Sequence, residues 1–124
     1  RLLGRSTTDV QDHRVQAAQD LAAWSGATVV LKGAGTIVAS MGMPLAVNAS
    51  GGPALAKAGS GDVLSGMAGA LLARGVMPRD AALAAVHLHG LAGDRAAIRL
   101  TEWGVDATDV IAALPETLSC LGVA

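Results

Sequence analysis

Apolar residues recur at helical spacing between Thr8 and Ser25. Val10, Ala17, Ala18, Leu21 and Trp24 fall near one face, with Gln, Asp and Arg between them. Thr8 with Gln11 has the form of a capping box and Gly26 supplies a stop, so a single helix is predicted there. The pattern then changes. Thr28-Val29-Val30-Leu31-Lys32 is a β-branched run without alternation, which predicts a short strand covered on both faces. Thr36-Ile37-Val38-Ala39 and Leu45-Ala46-Val47-Asn48 read as two further strands. They are separated by turns at Gly33-Ala34-Gly35 and from Ser40 to Pro44, and the three runs together predict a small antiparallel meander.

Beyond the loop Gly51-Gly52-Pro53 the pattern is helical only. An apolar helix is predicted from Asp62 to Arg74, ended by Gly75. Pro78 opens the next, with Asp80 in its first turn; it reaches His89, breaks at Gly90 and Gly93, and resumes to Arg99. A last helix, Thr108 to Leu121, carries Val110, Ile111 and Leu114 on one face, with Pro115 as a point of kinking. Gly66 and Gly69 are poor helix formers, which predicts close packing of that helix against a neighbour. The order is half of an α/β layer arrangement, and its first strand is expected to need partners from outside the chain.

Composition sharpens this picture. The 124 residues suffice for one modest domain, and 52% hydrophobic with 15% charged residues indicates a folded chain. There is no Phe or Tyr, so Ala, Leu and Val must fill the core, and Trp24 and Trp103 are expected to anchor the core or an interface. A net charge of -1 gives no general attraction to nucleic acid or an anionic membrane. No uninterrupted apolar run of about 18 residues predicts a membrane span. One cysteine, Cys120, and the lack of a signal-peptide pattern suit a cytoplasmic protein. The chain opens on Arg1-Leu2-Leu3-Gly4, without Met, and reads as mid-protein sequence.

The stretch with the most chemistry is Ala58-Gly59-Ser60-Gly61-Asp62-Val63-Leu64-Ser65-Gly66. Free N–H groups at a helix start form an anion site, here Gly59, Ser60 and Gly61, and glycine allows close approach. Asp62 repels phosphate, so it either caps the helix or takes a proton from a nucleophile aimed at that phosphate. Lys32-Gly33-Ala34-Gly35-Thr36 could line a nucleotide or be a plain hairpin with an exposed lysine; it lacks Walker A spacing. Asn48 beside Gly51-Gly52 could bind a polar ligand or form an Asx-turn. His87 and His89 point in different directions on a helix, which predicts a structural role for them, with His89 and Asp94 as possible hydrogen-bond partners, and no metal ligands.

Four segments in this order resemble the ADP/ATP-dependent NAD(P)H-hydrate dehydratases: Leu31 to Thr36, Val47-Asn48, Ala58 to Gly66, and His89-Gly90-Leu91-Ala92-Gly93-Asp94. The resemblance runs from Arg1 to Pro115. It implies the C-terminal part of a ribokinase-like three-layer α/β/α fold, with a small β-meander and a following run of helices. Residues 1–124 would then be a fragment of a single dehydratase domain. It further implies that Lys32, Gly33, Ala34, Gly35, Thr36 and Gly61 contact ADP or ATP, with Mg²⁺ on the phosphates. By the same resemblance Asp62 contacts the hydrated dinucleotide and is the catalytic base. The implied reaction returns the (6S) hydrates NADHX and NADPHX to NADH and NADPH, coupled to ADP or ATP hydrolysis. The expected partners are these ligands, the N-terminal half of the same domain and further copies of the chain as a homo-oligomer. Two other readings stand beside this one: a ribokinase-like vitamin or thiazole kinase, and an inert binding or assembly module.

Overall fold

The computed structural model describes residues 2–123; the Arg1 end of the resemblance lies outside the described residues. The chain forms two compact units, divided between Asn48 and Ala49.

In the first unit α1 (Thr7–Asp12) and α2 (Arg14–Ser25) replace the single predicted helix. His13 breaks the run at φ -127, ψ 44, and its ring turns back to the Asp9 carbonyl and carboxylate. The N-cap is Ser6, two residues before the predicted capping box, and its Oγ accepts the Asp9 N–H at 3.1 Å. Gly26 ends α2 in the left-handed region at φ 67, as its lack of a side chain allows.

Strands β1 (Val29–Leu31), β2 (Ile37–Ala39) and β3 (Ala46–Val47) form the expected antiparallel meander in the order β1-β2-β3. Val30 faces Val38, and Val38 faces Ala46. The burial differs from expectation. The central strand β2 is buried along its length, whereas β1 is a half-buried edge strand whose partner is supplied by this chain. Non-alternating apolar sequence therefore did not mark the covered strand here; position in the sheet did. Ala18 and Ala22 of α2 pack on Ile37 and Ala39, with Val29, Leu31 and Leu45 at the margin. Small alanines allow that close approach. Trp24 takes no part in it and is 69% exposed.

The second unit begins with a 3-10 turn, Pro53–Leu55, and continues with α3 (Ser60–Ala73), α4 (Pro78–Gly104) and α5 (Ala107–Cys120). Its core joins Ala54, Ala92, Ala96, Val105, Val110 and Ala113, flanked by Leu55, Val63, Ala97 and Leu114. Helix α3 starts two residues earlier than predicted, at Ser60, so Asp62 lies inside its first turn and is not its cap. Helix α4 passes through Gly90 and Gly93 without the predicted break and deviates instead at Thr101. Helix α5 is capped by Asp106 in a reciprocal box with Asp109. The Thr108 hydroxyl, followed by the Asp109 and Thr108 amides, holds the Asp106 carboxyl below the usual carboxylate range. The helix continues through Pro115. Its covered residues are Val110, Ala113 and Thr117, while Ile111 faces out. Trp103 is 91% exposed, and Gly66 and Gly69 look onto open space, so neither the tryptophan core nor close packing at these glycines is realised. Among the described residues no helix is long and apolar enough to cross a membrane.

Candidate functional site

The loop Lys32–Thr36 joins β1 to β2. Gly33 at φ 141 and Gly35 at φ 61 occupy backbone regions that a Cβ disfavours, so the sequence needs glycine at both. The Thr36 hydroxyl donates to the Gly33 carbonyl at 3.1 Å and closes the turn. Asn48 joins the same corner, its N–H donating to the Thr36 carbonyl at 2.8 Å. Pattern reading missed the brace. Arg14 of α2 reaches across and donates to the carbonyls of Lys32 (3.1 Å), Leu31 (3.2 Å) and Gly35 (3.3 Å). A Cβ on Gly33 would run into that guanidinium. The loop is thereby a fixed shape, with Lys32, Ala34 and both glycines exposed. Among the described residues no ion pair engages the Lys32 ammonium.

The second locus is the start of α3. Gly59 is its N-cap in the left-handed region at φ 82, and no side chain caps the helix. The Ser60 N–H bonds to the Lys57 carbonyl at 3.3 Å. Those of Asp62 and Val63 converge on the Gly59 carbonyl at 3.0 and 3.1 Å. Among the described residues neither the Gly59 N–H nor the Gly61 N–H has a backbone acceptor, so both remain open donors at this turn. Ser60 is buried, Gly61 half-buried and Asp62 exposed. The Asp62 carboxylate is uncommitted: among the described residues it makes neither an ion pair nor a cap hydrogen bond.

One segment of α4 holds this region in place. His89 Nε2 lies 2.9 Å from the Ser60 carbonyl and 3.2 Å from its Oγ. Gly90 backs onto Ser50, and Ser50 Oγ donates to the His87 carbonyl at 3.0 Å. A Cβ on Gly93 would lie 2.6 Å from Leu55. The Asp94 carboxylate accepts the Gly51 N–H at 2.9 Å. The H-G-L-A-G-D run is therefore a template that shapes residues 50–60 from behind, and His89 and Asp94 serve it through Ser60 and Gly51. Among the described residues no three His, Cys, Asp or Glu side chains could share a metal ion.

An α/β chain with a glycine-initiated helix and an uncommitted carboxylate in its first turn is built like enzymes that handle phosphorylated ligands. The fold has a solved counterpart. It superposes with a TM-score of 0.91 on an ADP/ATP-dependent NAD(P)H-hydrate dehydratase from Bacillus subtilis, co-crystallised with ATP/Mg²⁺ and soaked with CoA, at 31% identity. The match covers 97% of this chain and 44% of that one. The chain belongs to the NAD(P)H-hydrate dehydratase family, whose model matches residues 1–116. An ADP-dependent (S)-NAD(P)H-hydrate dehydratase of Neisseria meningitidis is 52% identical over 94 residues, 76% of this chain and 32% of that protein. The bifunctional NAD(P)H-hydrate repair enzyme Nnr of Escherichia coli is 42% identical over 114 residues, 92% of this chain and 22% of that protein. The chain thus spans a third or less of the length of these two curated relatives.

Proposed function

We propose that this chain supplies the catalytic base and part of the nucleotide site of an enzyme that dehydrates NADHX and NADPHX at the expense of ADP or ATP. The observation that carries the reading is the first turn of α3, where an exposed, uncommitted Asp62 follows the open Gly61 amide. Hydroxide is a poor leaving group and phosphate a good one. As the C6 hydroxyl oxygen of the hydrate attacks the terminal phosphoryl group, Asp62 takes its proton and the bond to the leaving nucleotide breaks. The ring nitrogen's lone pair then expels phosphate, and loss of the neighbouring ring proton restores the dihydronicotinamide. The Gly61 N–H and the α3 dipole stabilise charge on the transferring group. Lys32, Gly33, Ala34, Gly35 and Thr36 contact the nucleotide, the ammonium supplying a mobile positive charge, and Asn48 fixes the end of that loop. Gly59 and Ser60 shape the anion-binding turn. Mg²⁺, when present on the phosphates, neutralises their charge.

In this reading the chain forms the C-terminal portion of one catalytic domain, completed by further polypeptide, in a cytoplasmic homo-oligomer. Family membership and the greater length of the relatives support the part of this reading that concerns a shared catalytic domain. The test uses the complete protein with NADHX and ADP or ATP, following the absorbance of regenerated NADH. Asp62→Asn should lower turnover by about 10²–10⁴-fold while nucleotide binding persists. Folding should survive, because Gly59 and not Asp62 is the N-cap. Turnover within a few-fold of wild type would remove Asp62 from the role of base. A phosphorylated product without NADH would favour a small-molecule kinase instead.

A further inference from the structure

We propose that His89 is a positioning residue that sets the first turn of α3, and hence Asp62, through Ser60. The inference rests on the reading of Asp62 as the base, and its second readout does not need that reading. Both partners are buried, His89 at 4% and Ser60 at 2% exposure. A carbonyl oxygen can only accept, so the 2.9 Å contact to the Ser60 carbonyl requires a hydrogen on Nε2. The same N–H lies 3.2 Å from Ser60 Oγ, which makes a two-armed grip on the first residue of the helix. Away from water such a bond is stronger than at the surface.

The grip adds a side-chain hold to a turn whose backbone bonds come from the Ser60, Asp62 and Val63 N–H groups. No side chain caps α3, and Gly59 and Gly61, on either side of Ser60, impose little backbone restriction. His89 belongs to the long helix α4, and its neighbour Gly90 sits against the Ser50 backbone, so the imidazole is presented from a fixed platform. Asp62 is two residues beyond Ser60 and exposed. Displacing a reacting group by about 1 Å can cost on the order of 10²-fold in rate. A side chain that touches no substrate can therefore govern turnover from behind the helix.

The complete protein would be compared with His89→Leu, His89→Gln and His89→Asn. Gln carries an amide NH₂ that can reach the Ser60 carbonyl, whereas Asn is one methylene shorter and Leu donates nothing. With NADHX and ADP, His89→Leu and His89→Asn should lower kcat about 10- to 100-fold, with KM for both substrates within about threefold of wild type. His89→Gln should keep most of the activity. In parallel, amide hydrogen exchange of the segment from Gly59 to Leu64 should quicken about tenfold or more in the Leu and Asn variants but not in the Gln variant. A folded His89→Leu protein with wild-type kcat would overturn the proposal, as would equal losses in the Gln and Asn variants. If Leu prevents folding, the Gln and Asn pair decides the matter. If wild-type protein shows no turnover, the dehydratase reading fails and exchange alone decides: acceleration restricted to Leu and Asn upholds the positioning role, and unchanged exchange rejects it.

Discussion

Thr101 lies at φ 66, ψ 159, backbone territory where glycine is the residue without a steric penalty. Strain of this kind costs about 1–3 kcal/mol, against about 0.5–1 kcal/mol for the greater unfolded-state freedom of a glycine. Strain outweighs that entropy, and the exposed Thr101 side chain has little packing to lose. Thr101→Gly should therefore stabilise the protein by about 1 kcal/mol and raise the thermal midpoint by a few degrees. A lowered midpoint in calorimetry would mean that the threonine side chain contributes more than its surroundings indicate. Nothing in the residue pattern marks position 101, because the strain arises where two helical stretches meet. Arg14 is a similar case at a working loop. As one of several charged residues on a helix it is anonymous in sequence, yet it holds three carbonyls of the β1–β2 connection.

At the scale of the element, four helical glycines divide into two kinds that sequence treats alike. At Gly66 and Gly69 of α3 an added Cβ would meet nothing within 4 Å, whereas Gly90 and Gly93 of α4 are filled to contact. At Gly90 the obstacle is backbone: the Ser50 carbonyl carbon and oxygen lie 2.6 and 2.7 Å from where a Cβ would stand. At Gly93 it is the side chain of Leu55, which can yield. Gly90→Ala should cost about 1–3 kcal/mol or more through overpacking, with Gly93→Ala milder. Gly66→Ala and Gly69→Ala should each stabilise by about 0.5–1 kcal/mol through helix propensity. Urea denaturation of the four variants checks this order. Destabilisation by Gly66→Ala in the complete protein would show that this face of α3 is covered there. The sequence pattern put Gly66 and Gly69 inside a helix but expected a break at Gly90 and Gly93, through which α4 runs; only the neighbouring chain decides which ones must lack a side chain.

For the whole molecule the unsatisfied feature is apolar surface. The outer edge of β1 has no strand partner among the described residues. Beside it an apolar cavity of about 320 Å³ is lined by Leu2, Leu3, Val10, Leu21, Val29 and Leu31. In the second unit Ile98 is 85% and Trp103 91% exposed. Open strand edges and exposed apolar side chains favour association. Residues 1–124 alone should therefore form concentration-dependent assemblies and show no dehydratase activity. Sedimentation velocity across a range of concentrations checks the first expectation. A monodisperse, concentration-independent monomer with a sharp thermal transition would contradict it.

Local chemistry was enough to place the meander, the run of helices, the glycine-started helix with Asp62 and the Lys32–Thr36 turn, because period, glycine and β-branching act over a few residues. The tight hairpin and the role of Gly26 as a stop were legible for the same reason. Tertiary structure alone decided what depends on partners distant in sequence. It made β2 the buried strand, since a central strand is flanked on both sides. It left Trp24 and Trp103 outside a core that alanines close more tightly. It carried α4 straight through Gly90 and Gly93, because Ser50 and Leu55 occupy the space their missing side chains leave. It also joined His89 to Ser60 across 29 residues of chain, a pairing that no spacing rule can supply, since a hydrogen bond of this kind exists only once two helices have met.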